Sequence, residues 1–152
     1  MHTHYNFAGH IFSIKNITPF IKERCHDYET DAAAEVEIDA VCEETDLKKL
    51  LTTVNISSEM AEFINLHRKV CEYLLNYDII MFHSSAFALD GKAYIFTAPS
   101  GTGKSTHAKL WRERFNDRVI IINDDKPLLA FNDNGIIAHG SPWPEKNYYI
   151  IM

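Results

Sequence analysis

The segment Lys92-Ala93-Tyr94-Ile95-Phe96-Thr97 runs into Ala98-Pro99-Ser100-Gly101-Thr102-Gly103-Lys104-Ser105-Thr106, and a helix-forming stretch from Lys104 to Phe115 follows. Strand, glycine-bearing loop and helix in that order restrict the folds open to the chain, because the loop must deliver a strand end onto a helix N-terminus. Gly101 and Gly103 allow positive φ, which points successive backbone N–H groups inward as an anion nest. The helix that follows adds its N-terminal partial positive charge. In such a loop Lys104 reaches the β- and γ-phosphates, and the Ser105 hydroxyl is placed to ligate magnesium. The pattern G-x-x-x-x-G-K-[ST] is met except at its first position, which is Ala98. Ser100, Gly101, Thr102, Gly103, Lys104, Ser105 and Thr106 are therefore expected to bind ATP with Mg2+. Thr106 is expected to pack or cap rather than ligate metal, and His107 to lie on the surface or pack the helix.

A second feature supports this reading. Val119-Ile120-Ile121-Ile122-Asn123 reads as a fully buried strand ending in Asp124-Asp125. A strand that emerges beside a phosphate loop carries its terminal carboxylate to the metal, as a Walker B acid does. One aspartate would hold the metal or its water, and the other would accept a proton from an attacking hydroxyl. Successive strand side chains point to opposite faces, so the two need not share a role.

The rest of the chain is read from periodicity and turn chemistry. Tyr5 to about Val41 reads as short strands, with Ala34 to Val41 alternating apolar and acidic residues. Asp46 to Leu51 is expected to form a short helix. Ser57 or Ser58 then caps a longer one, with Glu59 near its N-terminus. Met60, Phe63, Ile64, Val70, Cys71, Leu74 and Leu75 are its expected apolar stripe, and His67 is expected to pack beside it. Ile79 to His83 and Ala86 to Leu89 read as strand. Asp90-Gly91 signals a type I′ turn into the strand Lys92 to Thr97. Pro127 to Phe131, an Asn134-Gly135 turn and Ile136 to Ala138 read as a further hairpin. The texture divides the chain into a small α+β region, 1–78, and a nucleotide-binding core, 79–152.

Composition narrows the function classes. The chain has 152 residues, a net charge of -6, 46% hydrophobic and 24% charged residues, as a soluble globular protein does. The acidic balance argues against nucleic acid as a partner. Cys25, Cys42 and Cys71 are widely spaced, without a C-x-x-C pair, which points to a reduced, cytoplasmic setting. The start lacks a signal-peptide pattern, and no apolar run approaches the roughly 20 residues that span a bilayer.

Taken together, Phe82-His83-Ser84-Ser85, the Asp90-Gly91 hairpin, Ser100-Gly101-Thr102-Gly103-Lys104-Ser105-Thr106-His107, Trp111 and Asn123-Asp124-Asp125-Lys126-Pro127 resemble the HPr kinase/phosphorylase group. That group belongs to the phosphoenolpyruvate-carboxykinase-like P-loop fold. The resemblance covers roughly residues 58–143 and implies an α/β fold with a P-loop core of that type, preceded by the small α+β region. It implies an ATP-dependent kinase moving the γ-phosphate to a hydroxyl on a protein serine or a small molecule. Ser105 and Asp125 would hold magnesium, Asp124 would accept the proton, and His83 would sit near Asp124 to orient it. Thr106 stands where HPr kinases carry Glu, which argues against HPr itself as the acceptor.

Related proteins continue into further strands, another active-site loop and C-terminal helices. Here the chain ends at Trp143-Pro144-Glu145-Lys146-Asn147-Tyr148-Tyr149-Ile150-Ile151-Met152. The resemblance thus implies a C-terminally truncated, incomplete core. The alternative it leaves open is a non-catalytic nucleotide-binding remnant or regulatory module; generic NTP hydrolysis is the weaker third reading. An apolar surface and sheet edge left by a missing segment would favour self-association.

Overall fold

The computed structural model describes residues 3–41, 43, 48, 56–99 and 101–143, with residue 105 described through its backbone alone. The helix expected over Asp46 to Leu51, apart from Lys48, and the chain end after Trp143 lie outside these residues. The protein is a mixed α/β chain of two compact units, Met1–Asn76 and Tyr77–Met152.

In the first unit β1 (His4–Phe7), β2 (His10–Lys15), β3 (Glu29–Thr30) and β4 (Val36–Asp39) form a sheet of order β3-β1-β2-β4. The β1–β2 and β1–β3 pairs are antiparallel and β2–β4 is parallel. The expectation of strands alone from Tyr5 to Val41 fails at α1 (Pro19–Cys25). Thr18 has extended backbone and its hydroxyl accepts from Ile21 N at 3.3 Å, while Pro19 occupies the first turn. A side-chain oxygen at the cap and a preset φ just inside it start a helix even in a short segment.

The longer helix, α2 (Ser58–Leu74), is capped by Ser57, whose hydroxyl accepts from Met60 N at 3.2 Å. Its buried face is Ala61, Phe63, Asn65, Leu66, Val70 and Leu74, whereas Ile64 and Leu75 are exposed. The stripe is therefore rotated from the one expected, toward Leu66. The rotation brings Tyr73 against Phe12 of β2 (ring centroids 5.2 Å) and Phe63 against Phe20 of α1 (5.8 Å). Burial raises the Cys25 thiol, and that of Cys71 up to about 11, so both stay protonated near neutrality.

Among the described residues the second unit holds two three-stranded sheets. β5 (Ile79–Met81), β9 (Leu128–Asn132) and β10 (Gly135–His139) make one, of order β10-β9-β5. β6 (Ser85–Leu89), β7 (Lys92–Phe96) and β8 (Val119–Asn123) make the other, of order β7-β6-β8. The strand expected over Ile79 to His83 stops at Met81, because the chain there crosses between the sheets. Asp90 and Gly91 both have positive φ (52° and 77°), as the turn from β6 to β7 requires. In the β9–β10 hairpin Gly135 already pairs with Asn132, so the connecting residues are Asp133 and Asn134 rather than Asn134 and Gly135. Asn132 sets that turn by accepting from Asn134 N at 2.8 Å.

The helix α3 (Lys104–Phe115) lies on the β7-β6-β8 sheet. Its stripe of Ala108, Trp111 and Phe115 packs on Phe87, Leu89, Phe96 and Val119. β8 is not fully buried as expected: Ile120 is 51% exposed. One face of an antiparallel sheet is covered by α3, and the alternating residues turn away from it. Among the described residues no helix is long and apolar enough to cross a membrane.

Candidate functional site

β7 and β8 both pair antiparallel with β6, which lies between them. They therefore run in the same direction, and their C-terminal ends emerge at one edge of the sheet, where β6 begins. Thr97 and the glycine loop leave β7 at that edge, Asp124 and Asp125 leave β8, and His83 and Ser84 lead into β6. Residues distant in sequence thus meet at one place for a topological reason.

The glycine loop has the expected backbone. Gly101 has φ 81° and Gly103 φ 95°, and Gly103 is the left-handed residue that starts α3. Gly103 brings no side-chain cap, so the loop presents first-turn amides that need an acceptor. The Thr102 hydroxyl donates to Pro99 O at 2.7 Å, and Lys104 Nζ donates to Ala98 O at 2.9 Å. The lysine therefore spans its own loop from helix start to strand exit. Thr106 is exposed. His107 packs edge-on against Phe96 (4.4 Å between ring centroids), and its Nε2 accepts from Trp111 Nε1 at 3.1 Å. Ser100 and the Ser105 side chain lie outside the described residues.

The acid-bearing bend is buried and held on several sides. Asp124 is 4% exposed and Asp125 3%. Ser85 Oγ donates to Asp124 O at 3.0 Å, and Ser84 N donates to Asp125 O at 3.0 Å. The β6–β8 register shifts between Ala86 and Phe87: Phe87 pairs with Ile121 and Ala86 with Asn123. Ile122 is thus the bulged residue. The bulge turns Asn123 away from the α3-covered face of Phe87 and Ile121, onto the face of Ala86. There Asn123 Nδ2 donates to Ser141 O at 3.0 Å and Ser141 Oγ at 3.1 Å. Asn123 Oδ1 accepts from Asp125 N at 2.9 Å and Lys126 N at 2.7 Å.

The resemblance places His83 near Asp124; the direct contact of its ring is with the adjacent acid, Asp125. Its Nε2 lies 2.9 Å from Asp125 Oδ1. His83 sits in the Phe82–Ser84 connection rather than on a strand, and Ser84 N bonds Asp125 O, which draws the histidine alongside that residue. Lys126 Nζ pairs with the other oxygen of Asp125. Buried Asn123 and Ser141 were absent from the sequence expectation as site residues. An asparagine closing a strand before two acids and Lys-Pro is an Asx-turn signal, but the partner Ser141 is fixed only by tertiary register.

Among the described residues no group of three or more His, Cys, Asp or Glu side chains is arranged to hold a metal ion. Magnesium bound together with phosphates needs only one or two carboxylates, with water and phosphate oxygens completing its shell. The oxygen donors described here, the carboxylates of the aspartate pair, are of the kind magnesium takes. Comparison with family models, with curated proteins and with solved structures finds no match to this chain.

Proposed function

We propose that this chain is an ATP- and magnesium-binding phosphotransferase of HPr-kinase-like type, with a P-loop core of the phosphoenolpyruvate-carboxykinase-like kind, that moves the γ-phosphate to a hydroxyl. The observation that carries the reading is the meeting, at one sheet edge, of the positive-φ glycine loop, the Asp124–Asp125 bend and His83. A phosphate loop alone fits any nucleotide-binding protein. An imidazole-paired carboxylate at the same edge supplies what transfer to a hydroxyl needs: an acceptor for its proton.

In this reading the amides of Gly101 to Lys104 and the Lys104 ammonium hold the phosphate oxygens. Asp124 and Ser105 are the oxygen donors for magnesium, which when bound supplies positive charge against the phosphate oxygens. The 2.9 Å contact with His83 favours Asp125 over Asp124 as the group that orients and deprotonates the acceptor. Lys126 and His83 grip Asp125 from both oxygens, which limits its rotation and aids alignment. The acceptor is a protein serine or a small-molecule alcohol.

The test is incubation with γ-labelled ATP, magnesium and fractionated cell extract, wild type against Asp125→Asn. The proposal expects label on an acceptor hydroxyl with the wild type and its loss in the variant. ATP binding with neither transfer nor hydrolysis would replace this reading by the nucleotide-binding module.

A further inference from the structure

We infer that Asn123 and Ser141 are positioning residues that fix the acid-bearing bend for magnesium-dependent nucleotide binding; the inference rests on the phosphotransferase reading above. Both are buried, at 1% and 0% exposure, so their polar atoms must find partners inside the protein. The Asn123 side chain uses both ends. Its Oδ1 accepts from the amides of Asp125 and Lys126, and its Nδ2 donates to Ser141 O and Oγ. Ser141 Oγ in turn donates to Lys126 O at 2.6 Å and accepts from Trp143 N at 3.5 Å. The amide and the carbonyl of Lys126 are thus both held, the first by Asn123 and the second by Ser141.

The consequence concerns the two aspartates between these anchors. Asn123 and Ser141 act on the backbone that carries them. Asp125 N is fixed by Asn123, while the carbonyls of Asp124 and Asp125 are fixed by Ser85 and Ser84. A bend held on donor and acceptor sides presents its carboxylates in one geometry, and misplacement by about 1 Å costs such sites on the order of 100-fold. The bulge at Ile122 is what makes the clamp possible, because an unbroken register would aim Asn123 at α3. Asparagine suits the position because it combines an acceptor for two amides with a donor for Ser141.

The experiment uses the full chain as wild type, Ser141→Ala and Ser141→Thr. ATP affinity is measured by titration with magnesium and with chelator, and hydrogen exchange is followed at the Asp125 and Lys126 amides. The expected result for Ser141→Ala is an unchanged affinity without magnesium and a loss of about tenfold in the magnesium-dependent gain. Exchange at the two amides should quicken by about tenfold, with β8 amides unaffected. Ser141→Thr, which keeps the hydroxyl, should restore both. Should Ser141→Ala fail to fold, Asn123→Asp takes its place, since it keeps the acceptor and removes the donor.

Unchanged gain and exchange in the variant would overturn the inference. So would an equal loss with and without magnesium, which marks general loosening of the fold. Wild-type protein that binds ATP with no gain from magnesium overturns this inference alone. Wild-type protein that binds no ATP overturns the phosphate-site reading and this inference with it.

Discussion

His83 Nε2 lies 2.9 Å from Asp125 Oδ1, with the imidazole 57% exposed and the carboxylate 4% exposed. The pair therefore joins a solvent-facing ring to a buried acid at the edge where the glycine loop emerges. In the proposed transfer, an acceptor hydroxyl approaching from solvent would meet the histidine side of the pair first.

From this pairing, Asp125→Asn is expected to lower phosphoryl transfer by about 100-fold or more while leaving ATP affinity within about threefold. His83→Ala should lower the rate less, by about tenfold, since it orients the acid rather than replacing it. Initial-rate kinetics beside equilibrium titration separates the two effects. An equal fall in affinity and rate would contradict the assignment.

Gly103→Ala probes the loop backbone. The added Cβ would meet only Thr106 Cβ, at 4.0 Å, so crowding is not the obstacle. The φ of 95° is the obstacle, and an L side chain there costs about 1–2 kcal/mol. The loop is expected to relax toward negative φ and turn its amides outward, which weakens ATP binding by about tenfold or more. Titration with a fluorescent nucleotide analogue checks this, with helix content monitored by circular dichroism.

Phe87→Ala tests what holds α3 to its sheet. Phe87 is fully buried, stacks on Phe96 at 4.9 Å and meets Trp111 edge-on at 4.7 Å. Removing it should cost about 3–5 kcal/mol, a large part of the stability of a small domain. Urea unfolding followed by tryptophan fluorescence reads the loss. A change below about 1 kcal/mol would mean that this cluster is not the core of the unit.

His139 gives an acid dependence. Burial lowers its pKa from the ordinary 6.5, so the folded chain holds that proton less tightly than the unfolded chain. Below about pH 6.5 the unfolded state binds more protons, and stability must fall as pH drops. Above that range the contribution is fully present. His139→Gln is therefore expected to shrink the fall in melting temperature between about pH 7 and 5.

How far the sequence discloses this structure depends on the range of the forces involved. Local chemistry was legible: the positive φ at Asp90, Gly91, Gly101 and Gly103 and the bounds of α3 follow from neighbouring residues, which also narrow the α2 cap to Ser57 or Ser58. The helix α1 was not, because seven residues show little periodicity, although Thr18-Pro19 held the start signal. A run of three isoleucines has no period of its own, so nothing in it shows that Ile120 faces outward. The link between His83 and Asp125, and the turn of Asn123 toward Ser141, depend on a strand crossing and a bulge. Those are properties of the register between β6 and β8, set by packing rather than by either strand alone.

Nucleotide binding at the glycine loop is the first premise of the proposed function, and Lys104→Ala tests it most directly. Lys104 Nζ bonds Ala98 O across the loop, so its removal leaves β7 and the body of α3 without a lost core contact. Calorimetric titration of ATP with magnesium should show saturable binding by the wild type, weakened by about tenfold or more in Lys104→Ala. No binding by the wild type, or equal affinity in the variant, would contradict the claim that this loop holds a nucleoside triphosphate.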